Sequence, residues 1–410
     1  MNMKRIGLAL GMILAAGFTA TSASADTVLK LWMTGVGVDK YMADIVPAFE
    51  KANPGIKVQA TNLSWTSYQQ KILTGMTAGD GPDVFSFYSV DTAPWAAQKV
   101  LAELDGKFDA NAFIPNALAN GQWNGKTYSL PVGLRMRPLF YRADTLKAAG
   151  FDRPPATWDE LRSYASKLVK KDAAGNIERV GFWVPTNHPY KTPQVWLTFL
   201  WNAGGEVFSP DGKKALFNSP AGVEATQFLA DLVRKDKVDV PGAIKIDNVD
   251  FAQGRVAMLV SNIVTRDLLK NHPALKDHVG IAMVPGNKAQ YIELSGDMVG
   301  IAGNSKNPDA AAKLLNFIVA NPEIALKYYA IDRTLPTLKA LADSDFAKGD
   351  PWIPTYLKFM DKARPLPAHP KWTEISSLIT KAIDSVVLQG VPAKEALDKA
   401  AAAADEILAR

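Results

Sequence analysis

Apolar positions along this chain switch between two periods. Val28-Leu29-Lys30-Leu31-Trp32 is a short β-prone run, after which Tyr41, Met42, Ile45, Val46 and Phe49 recur at helical spacing. A strand followed by a helix that packs one face on it is therefore predicted. Asn53-Pro54-Gly55 stops that helix. Ile56-Lys57-Val58 opens a second strand, and Tyr68, Ile72, Leu73 and Met76 mark a second helix. The turn Gly79–Pro82 then leads to a third strand, Asp83–Phe87. Strand, helix, strand, helix, strand is the order of an α/β unit with a largely parallel sheet. Such sheets bind ligands at the carboxyl ends of their strands. The loops there are Met33–Gly37, Ser64-Trp65 and Tyr88–Asp91, and they bring Trp32, Thr34, Ser64, Trp65, Tyr88, Ser89 and Asp91 into consideration.

One stretch departs from this grammar. Thr127–Asp144 begins apolar, is interrupted by Gly133, Arg135, Arg137 and Pro138, and resumes apolar at Leu139-Phe140-Tyr141. Either it is a surface hairpin with two solvated arginines, or one extended segment passes between two packed sheets. Arg135 and Arg137, two apart, point the same way in an extended chain. A second interruption of this kind is Leu294–Ile301. Between the two, strand and helix signals return. Thr157 and Glu160 form a capping box, Val180–Val184 reads as a strand ahead of the polar loop Pro185–Pro193, and Trp196–Trp201 as a buried helix. Ser219-Pro220 opens another helix, and Ser261-Asn262 follows the strand Val256–Val260. The last part of the chain is helical, with Ile375, Leu378, Ile379, Ile383, Val386 and Val387 on one stripe.

The two ends of the inventory narrow the function. Lys4 and Arg5, the apolar run Ile6–Phe18 and Ala23-Ser24-Ala25 before Asp26 make a cleavable secretion leader, residues 1–25. With no cysteine in the chain there is no lipid attachment point and no disulfide, so a free periplasmic protein is expected. The 385 residues after the leader exceed one compact core, which predicts two lobes. A net charge of +5, two of it in the leader, disfavours nucleic acid as a partner. Four scattered histidines without an HExxH arrangement predict no metal site. No GxSxG elbow, phosphate loop or strand-borne GxGxxG is present, so no catalytic residue and no cofactor is expected.

Taken together, several passages resemble the sugar-type solute-binding proteins of bacterial ATP-binding-cassette importers, the group that includes maltose-binding protein. They are Asn53–Val58, Ala78–Val84, Tyr128–Asp144 followed by Thr157–Leu161, and Gly254–Met258. In the tail they are Asn321-Pro322-Glu323, Leu335-Pro336-Thr337 and Gly390–Leu397. The resemblance implies an α/β, two-lobe periplasmic binding protein that closes like a clam shell, with three hinge crossings and a C-terminal helical segment. It implies lobes of residues 26–134 plus 299–328 and of residues 135–298 plus 329–410, with crossings near Gly133–Arg137, Ser295–Met298 and Ala325–Arg333. It implies a non-enzymatic, monomeric component that captures a mono- or oligosaccharide, or a polyol, and passes it to inner-membrane permease subunits. The alternatives are the same fold with an anionic sugar derivative or other solute, and a secreted glycoside hydrolase.

Family positions put Trp32, Trp65, the Ser89–Asp91 loop, Arg135, Asn262 and the Arg364–Trp372 loop in or near the cleft. Trp183, Gly296 and Asp297 join them from strand ends and the second interruption. Sugar sites need aromatic platforms for ring faces and planar polar groups for hydroxyls. Trp32 and Trp65 fit the platform, or core packing. Asp91 fits hydroxyl acceptance, or a helix cap. Arg364, stiffened by Pro365-Leu366-Pro367, is either pre-organised or solvated. Asp297 fits either the cleft or a turn. Two positions depart from the family pattern, since Asn262–Arg266 lacks an aromatic and Arg135 stands where maltose-binding protein has an acidic contact. Asp91 and Arg135 are expected on facing walls, holding ligand and not the fold.

Overall fold

The computed structural model describes residues 26–35, 37–245, 247–262, 271–332 and 334–410. The expected leader, Val36 of the first loop, the positions 263–266 and Arg333 lie outside the described residues. The opening α/β unit forms as the periodicity predicts: β1 (Thr27–Thr34), α1 (Val38–Ala52), β2 (Ile56–Leu63), α2 (Tyr68–Ala78) and β3 (Val84–Tyr88). The three strands are parallel, with β1 in the middle. Tyr41, Ile45 and Phe49 of α1 are buried against Leu29, Leu31 and Met33, the inward residues of β1.

The interrupted stretch divides into β4 (Ser129–Met136) and β5 (Leu139–Arg142). Behind them come α3 (Trp158–Leu168), α4 (Lys191–Asn202), α5 (Pro220–Arg234), β6 (Met258–Val260), β7 (Val279–Ala282) and β8 (Ile292–Ile301). The chain continues through α6 (Pro308–Val319), α7 (Pro322–Asp332), β9 (Ala363–Pro365), α8 (Trp372–Asp384) and α9 (Ala393–Leu408). A six-stranded sheet takes the order β9-β8-β3-β1-β2, with β4 also paired to β8. A separate three-stranded sheet has the order β6-β5-β7. The polar break at Arg137-Pro138 is thus where the chain leaves one sheet for the other, because proline lacks the N–H that a continued ladder would require.

Two strands link the cores. β4 and β8 pair antiparallel from Ser129↔Gly300 to Met136↔Leu294, with a register shift between Asp297 and Met298. Leu130 and Val132, with Val299 and Ile301, sit in the core of the first lobe beside Leu314, Ile318, Tyr328 and Tyr329. Leu134 and Met136, with Ile292 and Leu294, sit in a junction cluster with Phe140 and Leu259. The second lobe has its own core, in which Leu161, Phe182, Trp196, Phe199 and Leu229 meet Ile375 and Ile379 of α8. After α7, the Leu335 N–H donates to the Leu134 carbonyl and the Leu335 carbonyl accepts from the Leu134 N–H, so a third segment lies alongside β4. Leu338 and Leu341 return to the first core.

Two details depart from the periodicity. Val180–Val184 makes only single bridges, Val180↔Val256 and Trp183↔Leu259. Its other backbone groups go elsewhere, Gly181 N–H to the Val238 carbonyl and Val184 N–H to Asp239, so no continuous ladder forms. The Thr157 cap forms, its Oγ1 accepting from Glu160 N–H at 3.2 Å. The Glu160 carboxylate reaches back to Ala156 N–H, one residue beyond the usual partner.

At the link the backbones nearly touch. A Cβ on Gly296 would stand 2.4 Å from the Gly133 carbonyl oxygen, and one on Gly133 would meet Thr334 Oγ1 at 2.3 Å. Gly296→Ala must therefore push β4 and β8 apart, which should destabilise the chain by about 1–3 kcal/mol. Gly349→Ala, where an added Cβ meets nothing within 4 Å, is the control. Thermal unfolding of the two variants should show a drop of several degrees for the first and none for the second; equal melting would contradict the close approach.

Candidate functional site

Polar side chains from both sheets converge on a cavity of about 510 Å³ at the junction. That volume lies within the ~300–1,000 Å³ of small-molecule sites. From the first lobe, Trp65, Tyr68 and Gln69 reach it from the turn before α2 and the helix's first residues, with Tyr88 and Val90 from the end of β3. From the linking segments come Arg135, Arg137 and Asp297, together with Ile331 and Asp332 at the end of α7. His188, Tyr190, Lys191 and Gln194, around the start of α4, supply the facing wall with Asn262 beyond β6. Period-two alternation explains the floor. Residues 135 and 137 on one segment, and 293, 295 and 297 on its partner, all project to the same face.

Charge in this wall is paired. The Arg135 guanidinium bonds Asp297 Oδ2 at 2.9 Å and also Asp332. Tyr328 donates to the same Asp297 oxygen. Arg137 Nε stands 2.9 Å from Glu293, both side chains buried. Lys191 Nζ lies 2.8 Å from Asp247, which also accepts from Ser261 Oγ. Burial raises the Asp332 carboxyl well above its ordinary range, and the neighbouring Asp297 adds to this against the pull of Arg135. Burial likewise raises Glu293. His188 is lowered, first by burial and then by Lys191. Its Nδ1 accepts from the Tyr190 and Lys191 amides, so the neutral ring carries its proton on Nε2.

Besides Arg137 Nε, which is ion-paired with Glu293, three buried polar atoms of the lining residues have no hydrogen-bond partner among the described residues: Arg137 Nη1, Asp297 Oδ1 and Gln194 Oε1. All three residues are at least 96% buried. Unpaired buried polar groups cost about 1–3 kcal/mol each.

Of the residues singled out by sequence, Trp65, Arg135, Asn262 and Asp297 line this cavity. Trp372 is buried in the second core and borders a neighbouring cavity. The others stand elsewhere. Trp32 lies over Gly75, where an added Cβ would meet its ring at 2.8 Å, so it packs under α2. Thr34 is buried, its amide donating to Ser86 Oγ at 2.7 Å. Ser64 shapes the turn into α2, its carbonyl accepting the Ser67 and Tyr68 amides. Ser89 Oγ accepts from Gly296 N–H, fastening the end of β3 to β8. Asp91 sits behind the wall, bound by Tyr68 Oη and by Gln69 Nε2, and so orients two lining residues without lining the cavity itself. Trp183 faces the Lys191 ammonium, 5.6 Å from its ring centre. Arg364 is held bidentate by Glu206 at 3.1 and 2.9 Å and stacks over Trp201 and Tyr291. Its partner explains its order, and it stands apart from the cavity.

Tyr68, Gln69, His188, Tyr190, Lys191, Gln194 and Asp332 were not among the candidates, whereas Tyr88 belongs to the strand-end loop Tyr88–Asp91 already considered. Tyr190 alone left a signal, an aromatic in the polar loop Pro185–Pro193; Tyr68 and Gln194 read as ordinary helix positions.

Residues 35–324 match the family model described as bacterial extracellular solute-binding protein. A binding protein of Brucella abortus (strain 2308) is 28% identical, with 98% of each chain covered. The sn-glycerol-3-phosphate-binding periplasmic protein UgpB of Escherichia coli (strain K12) is 25% identical over 98% of this chain and 96% of its own length. Among solved structures, the sugar-binding protein MalE from Xanthomonas citri superposes with a TM-score of 0.81 at 22% identity, covering 93% of this chain and 98% of the other. A solute-binding protein of an ABC transporter from Thermotoga lettingae, bound with α-D-tagatose, has a TM-score of 0.78 at 24% identity, covering 93% and 100%. Superposition at these TM-scores over nearly the whole of each chain establishes the two-lobe periplasmic binding fold.

Removing Arg135 would leave Asp297 and Asp332 buried without their cation. Arg135→Ala is expected to lower the stability of the ligand-free protein by about 3–5 kcal/mol. Unchanged apo melting would show that the pairs carry no structural weight. The Asp91 carboxyl is raised from 3.8 to about 6, by burial above all, against the hydrogen bonds of Tyr68 and Gln69. The folded chain thus holds this proton more tightly than the unfolded one. Its contribution is full below pH 3.8 and is lost as pH rises through about 6. Melting temperature should fall across that window, and Asp91→Asn should flatten the fall; Asp239, also raised to about 6, leaves a residual slope.

Proposed function

The chain belongs to the bacterial extracellular solute-binding proteins, and within that family we propose that it captures an uncharged carbohydrate or polyol for an ABC importer. The observation that carries this reading is the lining itself, in which every cation is held by a carboxylate and the aromatic faces of Trp65 and Tyr190 stand with the neutral amides of Gln69, Gln194 and Asn262. A hydroxyl both donates and accepts, so it meets either end of an amide. A phosphate offers little but acceptors, which would face Asp297 Oδ1. The lining cations Arg135, Arg137 and Lys191 already hold carboxylates, so their charge is committed. Similarity to proteins that bind maltodextrin-type sugars and tagatose supports the sugar; similarity to the glycerol-phosphate protein keeps the anionic alternative in play.

Trp65 and Tyr190 serve as apolar platforms for ring faces, with Asn262, Gln194, Arg137 and Asp297 for hydroxyls. Trp32, Thr34, Ser64, Ser89, Asp91, Trp183, Gly296, Arg364 and Trp372 support the walls around them. The lobes are residues 26–134 plus 299–328 and residues 135–298 plus 329–410, with the packing of Tyr329, Leu338 and Leu341 favouring a first lobe that reaches somewhat further. The protein works as a periplasmic monomer released at Asp26 without lipid, and it performs no chemistry. Asp297 and Asp332, the carboxylates nearest the floor, share one guanidinium and so lack the separate acid and base of a hydrolase.

Thermal-shift titration decides between the ligand classes. Neutral sugars or polyols should raise the melting temperature, and sn-glycerol 3-phosphate should not; the reverse pattern would overturn the reading. Asn262→Ala should weaken the sugar about two- to tenfold, the loss of one neutral hydrogen bond. Small-angle scattering should record a smaller radius of gyration with the sugar bound, as hinge closure requires.

A further inference from the structure

We propose that Asp91, from behind the wall, fixes the polarity of the Gln69 amide, so that one position of the ligand must be a hydrogen-bond donor. A hydroxyl is taken there; an ether, an acetal oxygen or a fluorine is not. This rests on the carbohydrate reading above and adds the rule that tells one hydroxyl from its acceptor-only substitutes. Gln69 Nε2 donates to Asp91 Oδ1 at 2.8 Å, and Tyr68 Oη donates to Asp91 Oδ2. An ionised carboxylate only accepts, so the amide has to turn its Nε2 end toward Asp91. Burial lifts the Asp91 carboxyl to about 6, which leaves it ionised at pH 7.5. Gln69 Oε1 is then on the free side of the amide, with no hydrogen-bond partner among the described residues. Gln69 is exposed and borders the cavity, which brings this carbonyl within a ligand's reach.

The facing wall has the opposite polarity. His188 Nδ1 is taken by the Tyr190 and Lys191 amides, which leaves Nε2–H as the free end of the ring. Lys191 adds an ammonium whose other partner is Asp247. The carboxylates of the floor, Asp297 and Asp332, are engaged by Arg135. Donors therefore come from the second lobe and the floor, while Gln69 supplies the first lobe's acceptor. Asp91 does not line the cavity, so it is a positioning residue that acts through Gln69. Exchanging the two side-chain types tests the lock. Asp91→Asn keeps an oxygen for Tyr68 Oη but aims an N–H at Gln69, which has to turn its carbonyl away from the cavity and its NH₂ toward it. Adding Gln69→Glu returns an acceptor to the cavity, because the introduced carboxylate takes the introduced N–H with one oxygen and offers the other.

Isothermal titration calorimetry of the mature protein at pH 7.5 reads this out. The probes are glucose, galactose, mannose, xylose, maltose, lactose and sorbitol, then the monodeoxy and monodeoxyfluoro analogues of whichever binds most tightly. In the wild type, one position should lose about fivefold in affinity when its hydroxyl is exchanged for either hydrogen or fluorine. In Asp91→Asn, fluorine at that position should bind within about twofold of the hydroxyl. In Asp91→Asn with Gln69→Glu the fivefold preference should return. An Asp91 with a structural role alone would weaken all analogues alike and gain nothing from the second substitution. Gln69→Leu, at an exposed position, covers the case in which the Asp91 variants do not fold; there hydroxyl, hydrogen and fluorine should bind alike. A fluorine penalty that persists in Asp91→Asn or in Gln69→Leu, a double variant that does not regain it, or no such position in the wild type would overturn the inference and leave the carbohydrate reading standing. Binding of none of the seven parent compounds would overturn both.

Discussion

A single guanidinium ties the middle of this molecule together. Arg135 lies on β4, Asp297 on the adjacent β8, and Asp332 at the end of α7, so one side chain joins three segments that connect the lobes. Both carboxylates are nearly inaccessible, and a buried charge without its partner is costly, so the three segments cannot drift independently. Close backbone approach at Gly133 and Gly296 reinforces the same point sterically. The floor of the cavity is therefore held both by charge and by close backbone contact.

That constraint shapes the recognition chemistry. The lining is rich in charge, yet each of its cations is occupied by a carboxylate, and what is left uncommitted is amide and aromatic surface. A wall of this kind discriminates by hydrogen-bond direction more than by net charge. It favours groups that donate and accept from one atom. Aromatic surface at Trp65 and Tyr190, on opposing lobes, adds contact area at small entropic cost. Asp91 contributes from behind, by fixing Tyr68 and Gln69 in place.

The α/β order of the first lobe, the helix caps at Thr157 and Ser219, and the passage between two sheets at Arg137-Pro138 were legible in the chain. Each depends on near neighbours or on a period that only one element satisfies. The candidate site was legible in part. Trp65 and Trp32 both belong to strand-end regions, yet one faces the cavity and the other lies over Gly75. Arg364 looked well placed to meet a ligand, but Glu206, far away in sequence, holds it. Tyr68 and Gln194 look like any amphipathic-helix residue until the opposite lobe stands in front of them.

The linear order of residues was thus enough to indicate the class of fold, to single out the two interrupted stretches that become the linking strands, and to show that familiar catalytic motifs are absent. Hydrophobic periodicity, turn chemistry and proline act over a few residues and need no distant partner. Which side chains face the cavity, and which are consumed by ion pairs, was decided by tertiary structure alone. Arg135 meets Asp297 and Asp332 across 162 and 197 positions of chain. Whether an arginine holds a ligand or a hinge depends on what stands within hydrogen-bond reach of it, and contacts at that range are set by packing of the two lobes.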